Sequence, residues 1–143
     1  MSETLRVLIL CTANSARSQM GEGLLRELAG GRVDVFSAGA KPASVNPYAT
    51  RVMRLRGIDI SAQSSEHIDQ YLAQPFDYVI TVCDNAAESC PVFPGAARRI
   101  HWSFPDPAAV KGDDEAVLAA FITVRAGLEA QLRAWLESLD IQD

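Results

Sequence analysis

The sequence has no surplus of basic residues. Its 13 lysines and arginines are outnumbered by 18 aspartates and glutamates, which gives a formal net charge of -5 at pH 7. Proteins that bind nucleic acids or anionic membrane surfaces usually carry basic patches. We therefore expect neither a nucleic acid nor a membrane as a partner, and an anionic ligand would need a local positive site.

Long apolar runs and paired cysteine motifs are also missing. The longest apolar run near the N-terminus, Val7 to Leu10, is too short for a signal peptide or a membrane span, so a cytoplasmic location is predicted. The three cysteines are an odd number, which disfavours a secreted disulfide scaffold. Because there is no Cys-x2-Cys pattern and neither His67 nor His101 has a close second ligand in the chain, no zinc site is predicted.

Short apolar segments alternate with amphipathic ones along the 143 residues, a length that fits a single domain over residues 1–143. Short apolar segments predict strands at residues 5–10, 33–37 and 76–82, and alternation predicts a strand at residues 98–104. Helical spacing predicts helices at residues 20–29, 47–56, 66–72 and 118–139. This order predicts a three-layer α/β/α fold, in which helices cover both faces of a central four-stranded parallel sheet.

Ligands of such sheets bind at the carboxyl ends of the strands. Three polar segments of the sequence follow predicted strands and should meet at that edge. They are the segment Cys11–Ser18, the loop that starts at Cys83, and the loop that contains Asp106.

The segment Cys11–Ser18, called here the oxyanion loop, has the pattern Cys-x5-Arg-Ser between a strand and a helix. Small residues let its backbone N–H groups turn inward as an anion nest, and the helix N-terminus adds positive potential. Arg17 offers a planar fork to two oxygens of a tetrahedral oxyanion. The same field favours Cys11 as a thiolate nucleophile, with Ser18 donating to it and Asn14 holding the loop. The predicted oxyanion-binding residues are Thr12, Ala13, Asn14, Ser15, Ala16, Arg17 and Ser18.

Asp106 lies between Pro105 and Pro107, which stiffen its loop. A carboxyl group held near the nucleophile would act as a general acid and protonate the departing oxygen. The alternative is that Asp106 only caps the following turn. The oxyanion loop at the same sheet edge favours the catalytic role.

Cys83 ends a predicted strand, and Cys90 follows seven positions later in a polar segment. On a helix their Cα atoms would be about 10 Å apart, whereas a disulfide needs about 4.4–6.8 Å. Bridging them would therefore require this segment to rearrange. Taken alone, Cys83 could equally be a core thiol and Cys90 an incidental loop thiol.

Five segments of the sequence match one known family: residues 7–23, Ser37-Ala38-Gly39, residues 57–61, residues 82–91 with Cys83 and Cys90, and His101 to Pro107. Together they resemble the arsenate reductases that have the low-molecular-weight tyrosine phosphatase fold. The oxyanion loop is shared with the phosphatases, whereas the two later cysteines are specific to the thioredoxin-linked reductases.

The resemblance implies a cysteine relay. Cys11 would attack arsenate, with phosphate and sulfate as competing oxyanions, and Asp106 would assist the departure of water. Cys83 would attack Cys11 and release arsenite, and Cys90 would move the disulfide to Cys83–Cys90. A thioredoxin would reduce that disulfide, so no tightly bound cofactor is expected.

Some members of this family bind potassium through positions that match Asn14, Glu22 and Ser37 together with an aspartate. Here the fourth position is Glu66, one methylene longer, which argues against a potassium site.

Three other functions compete with arsenate reduction. A tyrosine phosphatase would need the same Cys11, Arg17 and Asp106, but its aromatic residue after the acid is replaced by Ala108. A reductase that uses a small thiol such as mycothiol would lack the relay cysteines. A non-catalytic oxyanion-binding or redox-sensing module would not need nucleophile, arginine and acid together.

Overall fold

Four parallel strands form the central sheet of the computed structural model, which describes residues 4–84, 93 and 96–140. The strands are β1 (Leu5–Cys11), β2 (Val33–Gly39), β3 (Phe76–Thr81) and β4 (Ala96–His101). Their order in the sheet is β2-β1-β3-β4, and every pairing is parallel. This confirms the predicted four-stranded parallel sheet and brings the carboxyl ends of all four strands to one edge.

Three α-helices are described: α1 (Arg17–Ala29), α2 (Pro47–Leu55) and α3 (Asp114–Asp140). α1 ends at Gly30, whose φ of 57° places it in the left-handed region that glycine adopts without strain. α2 begins at Asn46, whose side chain accepts the Tyr48 N–H, with Pro47 at the first helical position. No helix in the described ranges is long and apolar enough to cross a membrane.

Side chains of β1 alternate between two separate cores. Val7, Ile9 and Cys11 belong to the core in which all three α-helices pack, whereas Leu8 and Leu10 face the opposite core. Burial on both faces explains why the strand is apolar at successive positions. The second core is closed in the described residues by Phe93 and by a short 3-10 helix, Ile68–Tyr71. The three-layer α/β prediction is confirmed.

Two predicted elements differ from those observed. The predicted helix at residues 66–72 is a single 3-10 turn, because His67 pairs with Gly39 in an isolated parallel bridge and caps the turn by accepting the Asp69 N–H. The predicted strand at residues 98–104 ends at His101, where its partner β3 also ends at Thr81. Phe104 lies instead beside Gly127 of α3.

Candidate active site

The oxyanion loop joins β1 to α1, and its backbone is held from outside. Four successive carbonyl oxygens accept hydrogen bonds: Thr12 from Lys41 N–H (2.9 Å), Ala13 from Ala43 N–H (3.1 Å), Asn14 from the Gln19 amide (3.0 Å) and Ser15 from Asn46 N–H (2.9 Å). In a trans peptide the next N–H points opposite to the carbonyl. The N–H groups of residues 13–16 therefore point away from these partners, as an anion nest requires.

Asn14 organises the loop from within. It is fully buried and has a φ of 47°, a left-handed conformation that asparagine tolerates better than most residues. Its side-chain oxygen accepts the Glu66 N–H (2.8 Å), and its nitrogen donates to Ser18 (2.7 Å) and Ser37 (2.9 Å). The backbone N–H of Glu66 can only donate, so this contact fixes which way the Asn14 amide faces.

Cys11 and Arg17 lie at opposite ends of this loop. The Cys11 Sγ is 2.9 Å from the Ser18 Oγ, inside the protein. That hydroxyl also accepts from the Asn14 side chain, and its own proton can be donated to the Cys11 sulfur. Arg17 is buried, and its Nη1 donates to the carbonyl oxygen of Phe104 at 3.0 Å. A buried guanidinium gives the loop the local positive charge that the acidic chain otherwise lacks.

Asp106 performs the capping role and also faces the oxyanion loop. Its Oδ1 accepts the Ala108 N–H (3.0 Å) at the start of a 3-10 turn, Pro107–Ala109. Its Oδ2 is 4.0 Å from the Arg17 Nη2, and 42% of its side chain is exposed. The two roles that the sequence left as alternatives are thus compatible in one conformation.

A cavity of about 140 Å³ brings the three predicted catalytic side chains together. Its size suits a small tetrahedral anion better than a large organic substrate. Its walls are formed by Cys11, Ala13, Ser15, Ala16, Arg17, Ala43, Asp106 and Ala108.

The second predicted cysteine lies just beyond β3. Cys83 is fully buried in the same core as Cys11. It is disulfide-bonded, whereas Cys11 is a free thiol. Cys90 lies outside the described residues.

A second polar cluster lies behind the oxyanion loop, at the residues that the resemblance connects with potassium. The Ser37 hydroxyl donates to Glu22 Oε1 (2.5 Å), and Arg26 donates to Glu22 Oε2 (2.6 Å). Glu66 directs its backbone N–H, not its carboxylate, at Asn14, and that carboxylate contacts Ser64. Ser37, Glu22 and Arg26 are thus paired with one another, and the Glu66 carboxylate is paired with Ser64.

Two residues of this region were given no role from the sequence. A Cβ on Gly39 would lie 2.5 Å from the Thr12 oxygen and 2.8 Å from the Asn14 nitrogen, so only glycine lets β2 approach the oxyanion loop this closely. Arg26 is the other, and its position four residues after Glu22 on a predicted helix was the available signal.

Comparison with known proteins agrees with this geometry. The arsenate reductase of Halalkalibacterium halodurans is 44% identical over 132 residues, which cover 92% of this chain and 95% of that protein. A solved arsenate reductase in the phosphate-binding state matches with a TM-score of 0.77 at 30% identity, covering 94% of this chain and 98% of that chain.

A thioredoxin-dependent arsenate reductase of Corynebacterium glutamicum matches with a TM-score of 0.73 at 27% identity. That match covers 99% of this chain and 65% of the other. These likenesses confirm the predicted low-molecular-weight tyrosine phosphatase-like fold. Since the family model matches residues 6–143, the chain belongs to the low molecular weight phosphotyrosine protein phosphatase family.

Proposed function

We propose that this protein is an arsenate reductase in which Cys11 is the nucleophile. The observation that carries the proposal is the small cavity that Cys11, Arg17 and Asp106 line together. The sequence identity of this chain to known arsenate reductases supports arsenate, a tetrahedral oxyanion, as the substrate. Phosphate and sulfate have the same shape and compete for the cavity.

The first step replaces an oxygen of arsenate with sulfur. The Cys11 thiolate attacks arsenic, while Arg17 and the loop N–H groups hold the remaining oxygens. Asp106 gives its proton to the departing oxygen, which leaves as water. The arsenic remains As(V) and is bonded to the Cys11 sulfur.

The second step reduces arsenic. The Cys83 thiolate attacks the Cys11 sulfur, an S–S bond forms, and the electron pair of the S–As bond passes to arsenic, which leaves as arsenite. Cys90 then attacks Cys83, so that the disulfide becomes Cys83–Cys90 and Cys11 is a thiol again. A thioredoxin-like dithiol reduces this disulfide and closes the cycle.

Two observations support the relay. Cys83 follows β3, the strand beside β1, and Cys11 ends β1, so both cysteines are at the same sheet edge. The thioredoxin-dependent structural neighbour agrees with a protein dithiol as reductant.

Arsenate-dependent consumption of NADPH in the presence of thioredoxin and thioredoxin reductase tests the proposal. The wild-type protein should sustain turnover, and Cys11→Ser should abolish it, because a serine hydroxyl stays protonated in this loop. Turnover by Cys11→Ser would overturn the assignment. Hydrolysis of an aryl phosphate without arsenate turnover would indicate a phosphatase instead.

The order of the relay is tested in a single turnover without thioredoxin. Cys83→Ser should bind arsenate and release little arsenite. Cys90→Ser should release about one arsenite per chain, as the relay requires, and stop with Cys11 bridged to Cys83. Sustained thioredoxin-driven turnover by Cys83→Ser would show that the order is wrong.

A further inference from the structure

A continuous series of hydrogen bonds runs from the nucleophile to the surface of α1. From Cys11 it passes through the side chains of Ser18 (2.9 Å), Asn14 (2.7 Å), Ser37 (2.9 Å), Glu22 (2.5 Å) and Arg26 (2.6 Å). Most of its members are buried, whereas half of the Arg26 side chain is exposed. The series therefore links the reacting sulfur to a charge on the far side of the loop.

Two groups whose hydrogen-bonding role cannot change, the Glu66 N–H and the Glu22 carboxylate, set the direction of the bonds from Asn14 to Glu22. The Glu66 N–H binds the Asn14 oxygen, so the Asn14 nitrogen must face the two serines. Since Ser37 accepts from Asn14, its own proton goes to the Glu22 carboxylate, which can only accept when ionised. Ser18 likewise accepts from Asn14, and its hydroxyl proton can be donated to Cys11.

Arg26 holds the outer end of the series. Its guanidinium donates to Glu22 Oε2, to the Val35 carbonyl oxygen (3.1 Å) and, through Nη1, to Gln63 (3.1 Å). The Glu22 side chain is 13% exposed, so its negative charge needs a nearby cation. Arg26 supplies that cation and fixes the carboxylate rotamer to which Ser37 donates.

We infer that Arg26 is a positioning residue for Cys11, acting through Glu22, Ser37, Asn14 and Ser18. This inference rests on the proposed role of Cys11 as nucleophile. Because the Arg26 guanidinium neutralises the Glu22 carboxylate, a bound monovalent cation is not needed for that purpose at this cluster.

Arg133 offers a matched control. It pairs with Glu129 four residues earlier at 2.7 Å, as Arg26 pairs with Glu22 at 2.6 Å. The two arginines are 55% and 51% exposed, and their glutamates are 16% and 13% exposed. Glu129 binds Arg56 and not the oxyanion loop. Arg133→Gln therefore reproduces the loss of a helical ion pair without touching the series.

The test measures the rate at which iodoacetamide alkylates Cys11 in the reduced full-length protein, with the Cys11 adduct followed by peptide mass spectrometry. Arg26→Gln should slow alkylation by about 2- to 30-fold, the usual range for remote coupling. Arg26→Lys should retain most of the rate, because it keeps the charge beside Glu22. Arg133→Gln should leave it unchanged.

A double-mutant cycle separates positioning from a general loss of stability. Ser37→Ala breaks the series in its middle, so adding Arg26→Gln to it should cause little further loss. Additive effects, or equal effects of Arg26→Gln and Arg133→Gln, would overturn the inference. So would a wild-type alkylation rate that depends on potassium chloride when choline chloride is the reference salt.

The readout does not involve arsenate, so it is independent of the proposed reaction. If the wild-type protein failed to reduce arsenate, the proposed function would be wrong. The alkylation rates would still decide whether Arg26 positions Cys11.

Discussion

The oxyanion loop and the loop that carries Asp106 face the same cavity but are built differently. In the oxyanion loop, Asn14, Arg17 and Ser18 are buried, and four successive carbonyl oxygens are bonded to surrounding groups. Asp106 is 42% exposed, and it is held by its own cap to Ala108 and by its approach to Arg17. Among the residues that the structure describes, many interactions hold the oxyanion loop and fewer hold the Asp106 side chain.

The difference matches the two tasks of the site. Donors that stabilise an oxyanion act best when they are already oriented, because no reorganisation is then needed during the reaction. A general acid must instead recover its proton from water after each turnover, which requires exposure. Arg17 joins the two loops, since it lies in the first and donates to Phe104 in the second.

Apart from loss of the nucleophile itself, the largest effect on the reaction rate should come from removing the acid. Asp106→Asn keeps the side-chain shape and the oxygen that caps Ala108, but it lacks the proton. The rate of the chemical step should fall by about 10²–10⁴-fold, while phosphate binding, measured as a rise in Tm, should persist. Rapid-quench measurement of a single turnover gives the rate.

Asp113→Asn is the control for this variant. Asp113 is also an exposed aspartate with a capping role. Its carboxylate accepts the backbone N–H of Ala116, three residues later, at 2.9 Å. It is not among the residues that line the cavity. Equal rates in the two variants would mean that Asp106 acts only as a cap, and the comparison between a binding loop and an acid loop would fail.

Gly39→Ala should have a smaller effect, because it disturbs the loop that holds the oxyanion and leaves proton transfer from Asp106 intact. The new Cβ would lie 2.5 Å from the Thr12 oxygen and 2.9 Å from the Cys11 oxygen, both of them backbone atoms that cannot rotate away. The oxyanion loop must shift, and a displacement of about 1 Å costs about 10²-fold in rate. Phosphate should stabilise this variant less than wild type.

Gly21→Ala provides the comparison for Gly39→Ala. Its Cβ would meet only the Ile9 side chain, at 3.3 Å, and Gly21 lies inside α1 where alanine is favoured. Its phosphate affinity should therefore match that of wild type. If Gly39→Ala also bound phosphate normally, the oxyanion loop would be more adaptable than its hydrogen bonds indicate.

The sequence predicts the oxyanion loop well because nucleophile, small residues and arginine are contiguous between a strand and a helix. It predicts the sheet for the same reason, since apolar runs of the right length are local signals. Local patterns could not give the partners of Asn14, because Ser37 and Glu66 are 23 and 52 residues away along the chain, and only the family resemblance grouped them with it. Only the parallel pairing of β1 with β2, and the bridge from Gly39 to His67, bring them to the loop.

The end of β4 was misplaced because the limit is set by β3. Residues 98–104 alternate throughout, but pairing with β3 ends at Thr81 and His101, and Trp102 N–H makes the last bond to the Thr81 oxygen. A strand boundary that depends on the length of a neighbouring strand is not encoded locally. Arg26 differs, because its position four residues after Glu22 on a predicted helix is a local signal for the ion pair.

The smallest effect on the reactivity of Cys11 should come from breaking a strong ion pair that contacts neither loop. Glu129 on α3 accepts hydrogen bonds from Arg56 (2.8 and 2.9 Å) and Arg133 (2.7 Å). The bonds from Arg56, followed by those from Arg133, lower the pKa of Glu129 from 4.5 to about 2, although burial opposes the shift. Glu129→Gln should therefore reduce the free energy of unfolding at neutral pH by about 1–3 kcal/mol.

The pH dependence of that difference follows from the sign of the shift. Because folding lowers the pKa of Glu129, its contribution is fully present above about pH 4.5 and is lost as the pH falls towards 2. The gap in urea-unfolding free energy between wild type and Glu129→Gln should shrink over that window. Glu137→Gln, a change at an exposed acid on the same helix, should show no such gap in unfolding free energy.

The rate of Cys11 alkylation should be unchanged in both variants, because the oxyanion loop is held by its own contacts. A slower rate in Glu129→Gln would show that the rigidity of the oxyanion loop depends on α3.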